Sequence, residues 1–389
     1  MDLSVMFFGA DSGTAAEAGG AADAGRATDA APGRATEAPS GRATEARAGG
    51  AATATPHSRT YDDILTVART ADRLGFHAIW TPERHFQQVG QVFPSPPVLS
   101  AALAVATERI NIRAGSVVLP LHHPLKVAED WAVVDNLSHG RAGISVATGW
   151  HSTDFTLAPD HYADRRERAL RTIPELRRLW AGEAAAYPDG TGTPVSVVPQ
   201  PRPVQERLPL WLTTSGNPET WESAGRLRAG VLGATVGQSR EELAEKIARY
   251  RAACAAAPDQ AGTDAHGRVT LMAHTYVGAD DAEVRRLAAA PLKAYLASYL
   301  RQTAANRAAE ARGDAELTAE QRAMLAEFAF RRYLTWGSLL GSPGHCAKML
   351  ADLRDLGCDE VACFIDFGIG RDEVLAGLHR LAELREAAL

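Results

Sequence analysis

Five histidines, His85, His122, His123, His151 and His274, each follow closely on an apolar run of the chain. Imidazole exchanges a proton near neutral pH, so histidines gathered at one rim point to proton donors or acceptors. For any single one, a structural hydrogen bond is an equal alternative. None belongs to an HxxxH pair, and Cys254, Cys346, Cys358 and Cys363 form no CxxC or ligand-spaced set. No metal centre is expected. Cys358 and Cys363 read as small apolar core residues. There is no nucleophile elbow.

Two further stretches carry chemistry. "TTSGNPET", Thr213 to Thr220, leads from small hydroxyl residues and a glycine into a helix with Pro218 in its first turn. Unpaired N–H groups at such a start favour an anion, here a phosphate held by backbone donors and the Thr214 and Ser215 hydroxyls. An ordinary helix cap by Ser215 or Asn217 is the plainer alternative. In "YADRRER", Arg165 or Arg166 could clamp that anion bidentately, with solvation the role of at least one of them. The second stretch, "TGWHSTDF" from Thr148 to Phe155, breaks from a strand-like run into a hydroxyl, a glycine, an indole and an imidazole.

These residues need a scaffold that brings distant strand ends together. Apolar runs at Leu3–Gly9, His77–Thr81, Ile110–Leu119, Ala142–Thr148, Pro209–Thr214, Val231–Thr235, Val269–Val277 and Glu360–Phe367 alternate with helix patterns. Eight strand–helix units in order predict a (β/α)8 TIM barrel, one α/β domain across residues 1–389. A doubly wound sheet is the rival, disfavoured by the lack of a Gly-rich fingerprint after the first strand. In a barrel the chemistry sits at the carboxyl ends of the strands, where the polar and aromatic residues fall in register. Two insertions are expected: a Pro- and Gly-rich hairpin at Ala181–Arg207 and a helical one at Asp280–Trp336, before the eighth strand. A third segment, residues 10–56, follows the first strand and repeats an octad three times: "GRATDAAP", "GRATEAPS" and "GRATEARA". Its composition cannot offset chain entropy, so it is expected to be disordered. A surface loop grown to that length costs only about 2 kcal/mol in closure entropy.

Composition narrows the function classes. An apolar fraction of 46% and a charged fraction of 23% are those of a globular protein, and the net charge is −6. That charge argues against nucleic-acid or anionic-membrane surfaces. No apolar run approaches a membrane span, and "MDLSVMFFG" does not read as a secretory signal. A reduced cytoplasmic enzyme is expected.

The run "VLPLHHPLKVAEDWAVVDNLSHGRAGISVATGW", with "DILTVARTADRLGFHAIW", "IWTPERHF" and "TTSGNPETWESAG", resembles the bacterial luciferase-like flavin-dependent monooxygenases. The likeness covers nearly the whole chain outside residues 10–56. "TPERHF", "GWH..DF" and "GNPET" resemble the branch found beside modular peptide and polyketide synthases. The resemblance implies reduced FMN (FMNH2), O2 and an organic natural-product intermediate, with a carrier-protein-tethered form among the possibilities. It implies a separate flavin reductase, and a homo-oligomer is expected. The phosphate would fall on Ser215 and Gly216, with Thr148 and Arg165 nearby. The ring would lie near Gly115 and Ser116, where relatives place a non-proline cis peptide. Thr148 to His151 would form one wall of the flavin pocket, with Trp150 as apolar cover. His85 and His151, on the strands flanking Gly115–Ser116, become the expected acid–base residues, His85 first. Luciferase carries two adjacent histidines where Arg84 and His85 stand, and an arginine where Thr148 stands. Both departures argue against light emission from an aldehyde. The alternatives are a deazaflavin (F420)-dependent oxidoreductase on the same fold and a non-catalytic flavin-binding protein.

Overall fold

In a computed structural model, the described residues are 1–8, 56–86, 91–214, 216–257, 265–309 and 318–387. The expectation of disorder over residues 10–56 therefore lies outside them, apart from Pro56, where the first helix begins. The order is β1 (Asp2–Met6), α1 (Pro56–Arg73), β2 (Ala78–Thr81), α2 (Pro96–Ala106), β3 (Asn111–Val118), α3 (Pro124–Leu137), β4 (Ala142–Ala147) and α4 (Arg165–Ala181). There follow β5 (Ala185–Pro188), β6 (Pro194–Val197), β7 (Leu210–Thr213), α5 (Pro218–Arg226), β8 (Gly230–Ala234), α6 (Arg240–Ala256) and β9 (Val269–Val277). The chain ends with α7 (Asp281–Ala309), α8 (Ala319–Tyr333), β10 (Leu339–Gly341), α9 (Pro343–Asp355), β11 (Glu360–Phe364) and α10 (Arg371–Ala387).

Eight parallel strands, β1, β2, β3, β4, β7, β8, β9 and β11, close on themselves through the β8–β9 pairing. The fold is a TIM barrel. Its strands are buried on both faces, so they read in the sequence as apolar runs rather than alternating ones. β5 and β6 form the expected antiparallel hairpin, and α7 and α8 form the helical insertion between β9 and β11. One element differs from expectation. Leu339–Gly341, to which the sequence assigned no element, is a short strand that pairs with the carboxyl end of β9. At three residues it shows no periodicity of its own; only its neighbour makes it a strand.

The lower end of the barrel is plugged by ions. Glu360, the first residue of β11, accepts from Arg113 Nη1 at 2.9 Å, Arg268 Nε at 3.0 Å and Trp80 Nε1 at 3.1 Å, and from the Ser4 hydroxyl. Burial alone would push the Glu360 carboxyl up, but Arg113 and Arg268 outweigh it and hold the group down at about 2. With its floor sealed, the barrel is left open at the carboxyl ends of the strands.

Candidate active site

A cavity of about 330 Å³ lies at those ends, within the usual size of a small-molecule site. Met6 from β1, Phe8 just beyond it, Val118 from β3, Met272 from β9 and Phe364 from β11 give it apolar walls. Tyr295 and Leu296 of α7 and Tyr333 of α8 add to them, so the helical insertion helps to enclose the site.

The third strand forms one wall. The Gly115–Ser116 peptide is cis, as the resemblance implied. A Cβ on Gly115 would stand 2.9 Å from Met6 Cε and 3.1 Å from Trp80 Cε3, so only glycine lets the backbone lie this close to the core. The Ser116 hydroxyl is 2.5 Å from Thr213 Oγ1, which is also 2.5 Å from Ser145 Oγ, tying β3, β4 and β7 together.

The fourth strand leads into "TGWHSTDF". Gly149 has φ +78°, and a Cβ there would meet Phe155 at 2.7 Å. That turn brings Thr148, Trp150, His151 and Asp154 all to the cavity. The Trp150 and His151 rings are 3.6 Å apart; Trp150 is 39% exposed while His151 is buried. Burial, with the Arg84 charge in support, depresses the His151 imidazole to about 4, so it is neutral at pH 7. Burial raises the Asp154 carboxyl to about 6, against the opposing pull of His85 and Arg84. Among the described residues, His151 Nε2 and Asp154 Oδ1 are both buried without a hydrogen-bond partner. His274 sits deeper, ringed by Tyr295, Tyr333, Phe364 and Phe367, and burial drives it down to about 3.

The second strand contributes Glu83, Arg84 and His85. Glu83 Oε1 lies 3.0 Å from His85 Nε2 and 2.6 Å from His122 Nε2, and Oε2 accepts from the Val118 N–H at 2.6 Å. Burial raises its carboxyl, but the bonds from His122 and His85 outweigh that and hold it below the usual range. The Arg84 guanidinium lies 3.8 Å over the Phe8 ring.

Of the residues singled out from the sequence, His85, Gly115, Ser116, Thr148, Trp150, His151 and Thr214 all line this one cavity. Ser215 lies outside the described residues. Gly216 stands just before α5, and among the described residues nothing lies within 4 Å of a Cβ built on it. Asn217 caps α5 by accepting from the Glu219 N–H at 2.9 Å. Arg165 does not line the cavity: its Nη1 donates to Tyr162 O at 2.9 Å and its Nε to Gly149 O at 3.3 Å, so it braces the β4 loop. Arg166 pairs with Glu219 at 3.0 Å near the α5 start. His123 caps α3. Sequence reasoning gave no role to Glu83, Asp154, Tyr295 or Tyr333. The first two lie inside "TPERHF" and "TGWHSTDF", and acidic residues beside the singled-out histidines were the available signal.

The arrangement fits a flavin. Apolar walls suit a planar ring, the close Gly115 wall leaves it room, and the unpartnered His151 and Asp154 atoms offer polar contacts. The open space at Gly216 leaves the α5 start free for a phosphate.

The model of the luciferase-like monooxygenase family matches residues 40–360. Over 329 residues, 82% of this chain and 88% of the relative, the sequence is 27% identical to the oxygenase component of flavin-dependent trigonelline monooxygenase from Acinetobacter baylyi. Among solved structures, the oxygenating constituent of 3,6-diketocamphane monooxygenase from Pseudomonas putida, in complex with FMN, is similar at TM-score 0.68. It is 16% identical, with 87% of this chain and 95% of that one covered. An F420-dependent secondary alcohol dehydrogenase is similar at TM-score 0.65 and 14% identity, with coverage of 85% and 95%. At those identities the two structures speak for the fold alone. The family model spans most of the chain, which belongs to the luciferase-like family of flavin-dependent monooxygenases.

Proposed function

We propose that this protein is the oxygenase of a two-component system that takes reduced FMN from a separate reductase and oxygenates an organic natural-product intermediate. The observation that carries this reading is the cavity, closed below and lined by both apolar and polar side chains, at the carboxyl end of a barrel of this family. Reduced FMN, when bound, supplies the two electrons that let one atom of O2 enter the substrate while the other leaves as water. Thr214, Ser215 and Gly216 would hold the phosphate at the α5 start, with Thr148 beside it and Arg165 fixing the β4 loop. Gly115 and Ser116 would back the ring, and Trp150 would cover it from solvent. Excluding water protects the reduced ring from side reactions.

His85 is placed to exchange protons with substrate, since it lines the cavity and its Nε2 is anchored on Glu83. His151, neutral at pH 7, would offer a hydrogen bond rather than a proton. The "TPERHF", "GWH..DF" and "GNPET" motifs support a natural-product substrate, a carrier-tethered one included. A homodimer through the outer face of α2 completes the reading. That helix has no charged residue, and its Val98 and Val105 are 71% and 68% exposed.

The test presents the protein with reduced FMN or reduced F420 and follows O2 uptake. Uptake beyond free-flavin oxidation with FMN alone is the expected result. Oxidation of reduced F420 without O2 would overturn it in favour of hydride transfer, and tight FMN binding without any turnover would favour a flavin carrier.

A further inference from the structure

Glu83 has a pattern of partners that a purely structural carboxylate does not need. It is fully buried, yet two histidines from different parts of the chain converge on one of its oxygens. His85 Nε2 lies 3.0 Å from Oε1 and His122 Nε2 lies 2.6 Å from the same Oε1. Oε2 is occupied by the Val118 N–H, so both imidazoles must share Oε1. The two rings also differ in surroundings. His85 lines the cavity and its side chain is 10% exposed; His122 does not line the cavity and is 32% exposed. The three side chains thus form an unbroken hydrogen-bonded chain from the cavity to solvent.

We propose that His85, Glu83 and His122 form a proton relay that connects the cavity with bulk water. The inference rests on the reading of His85 as the group that exchanges protons with substrate. For a proton moving inward, His122 takes one from water at Nδ1 and gives one from Nε2 to Glu83 Oε1. With His85 as its Nδ1–H tautomer, whose bare Nε2 faces Oε1, the protonated Glu83 passes that proton to Nε2 and the ring releases its Nδ1 proton into the cavity. Each ring gains at one nitrogen what it loses at the other and ends as the opposite tautomer, the carboxylate ends unchanged, and an outward transfer resets both rings. The reverse order carries a proton out. Such a route would let His85 exchange protons with bulk water while substrate and cofactor fill the cavity mouth.

Both end rings of the chain face charged groups. His122 is faced by Glu83 and, more distantly, by Asp130, which is itself paired with Lys126. Burial lowers the His122 imidazole, but the Glu83 bond and charge outweigh it, so the ring at the solvent end is held more basic than usual. On the cavity side, Arg84, Asp154 and Glu83 are the charged neighbours of His85, and His151 beside Arg84 is neutral at pH 7. His122 and His85 act through Glu83, and of the two only His85 reaches the substrate space.

The experiment has two arms, so that failure of the relay and failure of the flavin reading are told apart. In the flavin-free protein, ring-nitrogen NMR titrations of His85 and His122 are compared among parent, Glu83→Gln and His122→Asn. Coupled sites titrate as a unit, so His122→Asn should displace the His85 midpoint, and Glu83→Gln should lower that of His122. Independent midpoints overturn the relay. In the second arm, pre-bound reduced FMN is oxidised by O2 in a single turnover. His122→Asn should slow the proton-dependent phase by about 10-fold or more, and added imidazole should restore it in proportion to its concentration. Unchanged rates, or a loss that imidazole does not relieve, overturn the relay in favour of a positioning role for Glu83. A parent protein that uses no O2 with reduced FMN overturns the flavin reading, and the NMR arm then decides the relay by itself.

Discussion

Gly216→Asp separates the phosphate site from the ordinary helix start it would occupy. Gly216 precedes Asn217, the N-cap of α5, and a Cβ there meets nothing within 4 Å. The carboxylate can therefore be introduced without a clash. Near a helix N-terminus an added negative charge stabilises the fold by about 0.3–1 kcal/mol. The bound phosphate experiences the opposite. Two unit charges about 5 Å apart at an effective dielectric near 20 repel by about 3 kcal/mol. Loss of a single charge-assisted hydrogen bond to the phosphate would give about 1.5–3 kcal/mol. Either route weakens FMN binding by roughly 10- to 150-fold, at 1.4 kcal/mol per factor of ten. The expected signature is thus opposed: a thermal midpoint equal to or above the parent's, and an FMN Kd raised by at least tenfold. Flavin fluorescence titration and a melt on the same samples measure both. Gly216→Ala is the control, with a Kd within about twofold because the added methyl stands in open space. An Asp variant that binds FMN as the parent does would place the phosphate elsewhere. An Ala variant as weak as the Asp variant would show that backbone shape, not charge, is what the loop supplies.

Asp154→Asn should stabilise the protein, and more so at higher pH. The folded carboxyl sits near 6, above its unfolded value of about 3.9, so ionising it costs folding free energy as pH rises through that window. The variant's advantage should be small at pH 4.5 and reach the order of 2 kcal/mol by pH 8 in denaturant melts; a gain independent of pH would refute it. On α2, Val105→Glu should convert a dimer into a monomer in sedimentation velocity, because it places a charge on the exposed apolar face that the dimer would bury. A parent that sediments as a monomer at micromolar concentration would refute that interface.

Much of this protein was legible before any coordinate. Strands of a closed parallel barrel are buried on both faces, so β3 and β9 appear as apolar runs within a residue or two of their true ends. The regular alternation with helices then determined the architecture, and the architecture determined which strand ends share a face. That is why His85, Gly115, Thr148, His151 and Thr214, spread over more than a hundred positions, could be placed at one rim from sequence alone. What stayed hidden depends on distances across the barrel. Glu83 is an unremarked acid in "TPERHF" until the β3–α3 loop brings His122 onto the oxygen that His85 also bonds. Asp154 and His151 are three residues apart in one motif, yet burial moves their protonation in opposite senses, Asp154 up and His151 down. Arg165, chosen for its charge, instead braces the β4 loop, because the carbonyls of Tyr162 and Gly149 lie within its reach. Local pattern specified the elements, since periodicity is a property of neighbouring residues. Partnership and desolvation set the chemistry, and both are properties of space that only the folded chain defines.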